Sequence, residues 1–166
     1  ITVIAVSPPS LSKAFAPSTI FVGGVSTLTI TLNNNDVDTN LTGTSYTDTL
    51  PAGLQIANPA NLTSAGCGAG STVTAPVGGT TIALSGATVT PSVNCVITVN
   101  VLGANYGQYL NRIPAGPAGV GSIRTDQGVT NGSNADAKLN VQPVGVVKAF
   151  SPTTIDAGDT TTLTIT

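Results

Sequence analysis

The sequence predicts an all-β protein, an immunoglobulin-like antiparallel β-sandwich repeated in tandem with a period of about 135 residues. Three observations carry that expectation. Apolar and polar residues alternate with period two in segment after segment. Gly, Pro and Asn clusters separate those segments, and none contains the ten-odd good helix formers that a helix needs. Finally, the chain resembles itself: SKAFAPSTIFVGGVSTLTIT near the start returns as VKAFSPTTIDAGDTTTLTIT at the end. The match is ungapped, each pair lying 135 positions apart as Lys148 is from Lys13, and a fixed spacing of that kind marks an array.

The opening ITVIAVSPPS lacks the charged n-region of a signal peptide. It reads as the last strand of a preceding repeat, any secretion signal lying upstream. The boundaries expected are residues 1–11 for that strand and its linker, 12–146 for a complete sandwich, and 147–166 for the start of the next. Prolines in SPPSLS and QPVG stiffen the two equivalent connections, which favours a rod over beads on a loose string.

Within the sandwich, VSTLTITLN places Ser26, Leu28, Ile30 and Leu32 on one face and threonines on the other. In SVNCVITVNVLG the face is Val93, Cys95, Ile97, Val99 and Val101. GTSYTDTL, GLQIA, STVTA, TTIALSG, GQYLNRI, GSIRT and DAKLNVQ are further strand candidates. NNNDVDTN, LPAGL, APVGG, IPAGPAGVG and NGSN are the turns between them. Many short strands at such spacing suit a sandwich.

Composition narrows the function. Of 166 residues only 7% are charged, with five Lys or Arg against seven Asp, a net charge of −2, and no His, Glu, Met or Trp. A basic nucleic-acid binder is excluded, and no apolar run approaches the roughly 18 residues of a membrane span. Without His, Ser-His-Asp or Cys-His catalysis is impossible, and no Gly-rich phosphate loop precedes a helix. No enzyme activity and no cofactor are expected. A surface of hydroxyls and amides with little charge suits a secreted wall or fibre protein, and weak self-repulsion permits association with copies of itself.

Several residues stand out. Cys67 and Cys95 are the only cysteines, and an even count in a secreted chain favours a disulfide over two free thiols. Asp36, Asp38 and Asn40 carry oxygens at alternate positions, as calcium loops do, but the central Gly and distal Glu of such loops are missing; a solvated turn is the plainer reading. Asn40, Asn61 and Asn131 each open a glycosylation sequon, a frequent chance match in a chain this rich in Asn and Thr.

Lys13 is a rare charge inside the apolar KAF and recurs as Lys148. It is either exposed or paired with Asp48 or Asp126. A sharper reading resembles the self-formed crosslink of Gram-positive pilin and adhesin sandwiches, in which a first-strand Lys attacks a last-strand Asn. On that reading Asn131, Asn134 and Asn140 are the candidate acceptors, Asp48 is the acid, and burial would leave the amine nucleophilic.

YTDTLPAGL after TLTITLNN, with KAFAPSTI, CVITVNV, YLNRIPAG and TDQGVTN, resembles a bacterial conserved repeat domain, domain of unknown function 11 and its relatives. The resemblance touches most of residues 12–142; the acidic NNNDVDTN loop departs from it. It implies a sandwich that recurs in large secreted and surface proteins as a stalk or spacer, with no known active site.

The function expected is therefore a structural repeat of an extracellular bacterial filament, stalk or adhesin. Its rod would form by end-to-end packing or strand complementation. The alternative is a carbohydrate- or ligand-binding surface module, against which three Tyr and three Phe supply few aromatic platforms. Residues 147–166 are expected to contact another domain or copy through Lys148, Phe150, Ile155, Leu163 and Ile165, because residues 12–31 already occupy the same strand positions.

Overall fold

A computed structural model describes residues 5–117 and 122–166. Among the described residues there are thirteen strands and no helix. One layer of a sandwich is built from β1 (Ser10–Ala16), β3 (Val25–Asn33), β9 (Cys95–Gly103) and β5 (Leu54–Ile56), hydrogen-bonded in that order. The short β6 (Thr63–Ala65) also pairs with β9, further along that strand. The neighbouring pairs are antiparallel, with Lys13 opposite Ile30 and Ile30 opposite Ile97.

The facing layer comes from two three-stranded sheets. One is β10 (Gly107–Ile113), β11 (Ala135–Gln142) and β2 (Thr19–Phe21). The other is β4 (Leu41–Thr49), β8 (Thr81–Val89) and β7 (Thr72–Thr74). They meet where β10 packs beside β4. After Ala16 the chain crosses from the first layer to the second, so that β2 runs parallel to β11, with Phe21 beside Gln142.

The period-two faces build the core. Leu28, Ile30 and Leu32 of β3, and Ile97, Val99 and Val101 of β9, are fully buried. They meet Leu41, Ile82, Leu84 and Val89 from one facing sheet and Ile113, Leu139 and Val141 from the other, in a single cluster. β-Branched Thr27, Thr29 and Thr31 take the outer face of β3, half-buried, where pleated backbone suits them. Leu50 is also buried, and Leu54 N–H donates to Pro51 O at 3.0 Å to close the LPAGL turn. Gly53 has φ 105°, and a Cβ there would run into the Tyr109 ring; only glycine suits this position.

Three expectations change. β1 begins at Ser10, inside the segment assigned to the linker. Val93 is 45% exposed in the turn before β9, so the buried face of that strand starts at Cys95. GSIRT contributes one bridge, Arg124 with Ser45, followed by a single bond from Asp126 N–H to Thr42 O beside the irregular stretch of β4. The strand expected at the very start involves residues 1–4, which lie outside the described residues.

The last segment forms its own two-stranded sheet, β12 (Lys148–Ser151) with β13 (Thr162–Ile165). Lys148 pairs with Ile165, Ala149 with Thr164, Phe150 with Leu163 and Ser151 with Thr162. Each pair sits at the repeat spacing from Lys13–Ile30, Ala14–Thr29, Phe15–Leu28 and Ala16–Thr27 in β1 and β3. One side-chain bond recurs as well. Ser26 Oγ donates to Pro17 O and Thr161 Oγ1 to Pro152 O, both at 2.6 Å.

Candidate functional site: a buried lysine, aspartate and asparagine

β1 alternates exposed and buried residues, and its inward positions are Leu11, Lys13 and Phe15. An ammonium therefore enters the core between two apolar side chains. β4 turns Thr44, Tyr46 and Asp48 inward, and β10 turns Asn111 and Ile113 inward. These three strands bring Lys13, Asp48 and Asn111 together.

Lys13 Nζ lies 2.7 Å from each oxygen of Asp48, and the side chains of both residues are wholly inaccessible to solvent. Asn111 is fully buried, and its Nδ2 donates to Asp48 Oδ2 at 2.9 Å. Oδ2 thus holds the amine on one side and the amide on the other. Among the described residues Asn111 Oδ1 has no hydrogen-bond partner, a costly state for an amide oxygen in a dry interior. Burial holds the Lys13 amine below its ordinary pKa, with the attraction of Asp48 pulling the other way. Tyr46 lies on the same inward face of β4, and burial raises its phenol, with the Asp48 charge adding to the effect.

Taking two charges out of water costs several kcal/mol per ion, repaid only by close geometry and further hydrogen bonds. A two-point ion pair plus one amide bond meets the first requirement, while the unpartnered Oδ1 leaves the second incomplete.

Of the alternatives open for Lys13, the partner is Asp48. Asp126 lies elsewhere, accepting from Thr42 Oγ1 at 2.8 Å. None of the three expected acceptors reaches the amine. Asn131 is buried, but its amide organises a loop, donating to Pro114 O and Ser133 O and accepting from Ile123 N–H. Asn134 accepts from Ala115 N–H at the surface. Asn140 stands on the outer face of β11, out of phase with buried Leu139 and Val141. The sequence signal for Asn111 was available in YLNRI, where Ile113 inward implies Asn111 inward.

Cys67 and Cys95 are disulfide-bonded across 28 residues, with Cα atoms 4.4 Å apart. A loop of that length contributes about 3.5 kcal/mol on the chain-entropy account. Backbone amides gather on the Asp36 carboxylate. Its Oδ2 accepts from Ser7 N–H at 3.0 Å, and its Oδ1 accepts from Asp38 and Thr39 N–H at 3.1 and 2.9 Å. Those bonds, Ser7 foremost, hold its carboxyl below the usual carboxylate range. Among the described residues no three His, Cys, Asp or Glu side chains converge to hold a metal. Of the sequons, Asn131 is inaccessible to modification, whereas Asn61 is exposed.

A shallow groove on the β10–β11–β2 sheet is lined by Ser18, Thr19, Gln108, Tyr109, Lys138 and Asn140. Tyr109 is its one aromatic residue, and the phenol donates to Asn105 O at 2.9 Å. Among the described residues no helix is long and apolar enough to cross a membrane.

The two layers and their shared core define an immunoglobulin-like sandwich module, and solved structures agree on that fold. The chain is similar to a cohesin module of a family 33 glycoside hydrolase from Clostridium perfringens, at TM-score 0.58 and 10% identity over 82% of this chain and 98% of that one. It is similar to BslA, a bacterial hydrophobin, at TM-score 0.50 and 17% identity over 85% and 98%. It is similar also to the collagen-binding domain of a Staphylococcus aureus adhesin, at TM-score 0.50 and 12% identity over 82% and 99%. A search of curated proteins gives no match.

The chain belongs to the family described as domain of unknown function DUF7933, whose model matches residues 9–141. That corrects the resemblance to domain of unknown function 11.

Proposed function

We propose that this sandwich is a structural repeat of an extracellular bacterial filament, stalk or adhesin. The observation that carries the reading is the second hairpin, β12–β13, which copies the register of β1–β3 yet leaves its apolar residues in water. Phe150, Ile155, Leu163 and Ile165 are 44–59% exposed, whereas Phe15, Ile20, Leu28 and Ile30, their equivalents, are 0–8% exposed. An exposed apolar hairpin of this kind is a template for completion by further strands. The strands that fit it are those following β3, supplied by a second sandwich of the same kind in the same polypeptide or in another copy. Successive sandwiches would then form a rod, with neighbour contacts adding to the stability of each. The disulfide and the sparsely charged surface, rich in Thr and Asn, support an extracellular setting.

The test is a chain in which residues 32–142 are appended after Thr166, in register with the repeat. Two sandwiches in line, with the amides of Phe150 and Leu163 protected from exchange, are expected. Appended residues that stay unfolded while β12–β13 remains unprotected would overturn the reading. A ligand-binding role would have to use the groove beside Tyr109, and binding on a glycan array by the chain, abolished by Tyr109→Ala, would favour it.

A further inference from the structure

We propose that Lys13 and Asn111 become joined by an intramolecular amide bond, formed within the folded sandwich with Asp48 relaying the proton. The inference is independent of whether the sandwich serves in a fibre. It rests on three groups held in one dry place by three strands, and on the way they share one oxygen.

Asp48 Oδ2 is 2.7 Å from Lys13 Nζ and 2.9 Å from Asn111 Nδ2. A proton leaving the ammonium therefore has an acceptor that already touches the group which must leave. The step balances without any other reactant. Lys13 gives one proton to Asp48, and the neutral amine attacks Asn111 Cγ, forming the Nζ–Cγ bond. A second proton passes from Nζ through Asp48 to Nδ2, the Cγ–Nδ2 bond breaks, and Nδ2 departs as ammonia. One hydrogen stays on the new amide nitrogen, and Asp48 is left as the neutral acid. Nothing is oxidised or reduced.

The environment favours this direction. The starting state buries a cation and an anion, and the product buries neither. Exclusion of water protects the tetrahedral intermediate from hydrolysis, and the fixed strands supply the orientation that an unfolded chain lacks. Asn111 Oδ1, unpartnered beside the ion pair, can take the proton of the Asp48 acid after a half-turn of the side chain. The bond would tie β1 to β10, so the first strand could not be pulled from the sandwich without breaking a covalent link.

The test is the mass and peptide map of the full chain, incubated folded and then digested. The expected result is a protein lighter by one ammonia, beyond the hydrogens lost to the disulfide, with a branched fragment joining the Lys13 and Asn111 peptides. Lys13→Met and Asp48→Asn, each checked for a native circular-dichroism spectrum, should keep the ammonia and give unbranched maps. An unchanged mass in the folded wild-type chain overturns the proposal whatever the variants do. So does an ammonia loss that maps to Asn131–Gly132 as a cyclic imide with Lys13 and Asn111 unlinked. A branched map that persists in Asp48→Asn overturns the relay assigned to Asp48.

Discussion

The hairpins β1–β3 and β12–β13 share a sequence and a register, yet one is core and the other is surface. Phe15 is 7% exposed and Phe150 55%; Leu28 is 0% exposed and Leu163 44%. Local propensity, alternation and cross-strand pairing are the same in both, so they account for the hairpin and for nothing beyond it. What differs is the company. β3 has β9 along its other edge and the opposing sheets across its face, whereas among the described residues β12 and β13 pair only with each other. In a protein of this type the pattern writes the strand, and long-range packing decides which face is dry.

That contrast can be attacked residue by residue, beginning with the largest expected effect. Lys13→Ala leaves the Asp48 charge buried without its partner and should cost about 3–5 kcal/mol in denaturant unfolding. Lys148→Ala, at an exposed position, should shift the same midpoint by less than about 0.5 kcal/mol. Equal effects of the two would break the comparison. Ile30→Ala should cost about 2–5 kcal/mol by opening a cavity, and Ile165→Ala should again be near neutral.

Reduction of the disulfide, or Cys95→Ser with Cys67→Ser, should remove about 3–4 kcal/mol. Because Cys95 pairs with Leu32 across β9 and β3, amide exchange should quicken in β3 and stay as it was in β12–β13. Deleting residues 147–166 should leave the melting temperature of the sandwich within a degree or so, since surface elements outside the core contribute little.

The smallest effect concerns acid. The carboxyl of Asp36 is held below its usual pKa in the folded state, so its contribution is present above the unfolded value and fades as pH falls through the folded one. Exchange of the Ser7 and Thr39 amides should quicken in that acid range while the protection of β3 is unchanged.

Much of the fold was legible because the informative strands are strict. In β3 and β9 the apolar residues occupy every second position without exception from Leu28 to Leu32 and from Ile97 to Val101. The disulfide was legible too, since there was only one pair to make. The site was half legible. Lys13 and Asp48 stood out, as scarce charges in apolar strands must, but Asn111 did not. In YLNRI a reader guided by hydropathy puts Leu110 inside, and Leu110 is 42% exposed. Strand phase, fixed by Ile113, overrode the preference of a single leucine.

Asn131 and Asn134 misled for the opposite reason. Their amides are engaged by loop backbone from residues 114–115, 123 and 133, contacts that no periodicity encodes. The acidic loop read as a solvated turn, and nothing in NNNDVDTN announces that Ser7 will come to meet Asp36.

The parallel pairing of β2 with β11 has a mechanical meaning. β1 and β2 carry the chain along the sandwich to the end where Phe21 lies beside Gln142, the last residue of β11. Entry and exit are therefore at opposite poles, and tension applied to the two termini draws the first and last strands past one another along their length. In that geometry the bonds between Thr19–Phe21 and Asn140–Gln142 share the load together, whereas a hairpin pulled at its open end gives way one rung at a time. The β12–β13 hairpin, whose ladder runs from the mutual pair Val147–Thr166 at its open end to Ser151–Thr162, would be loaded in that second, weaker way.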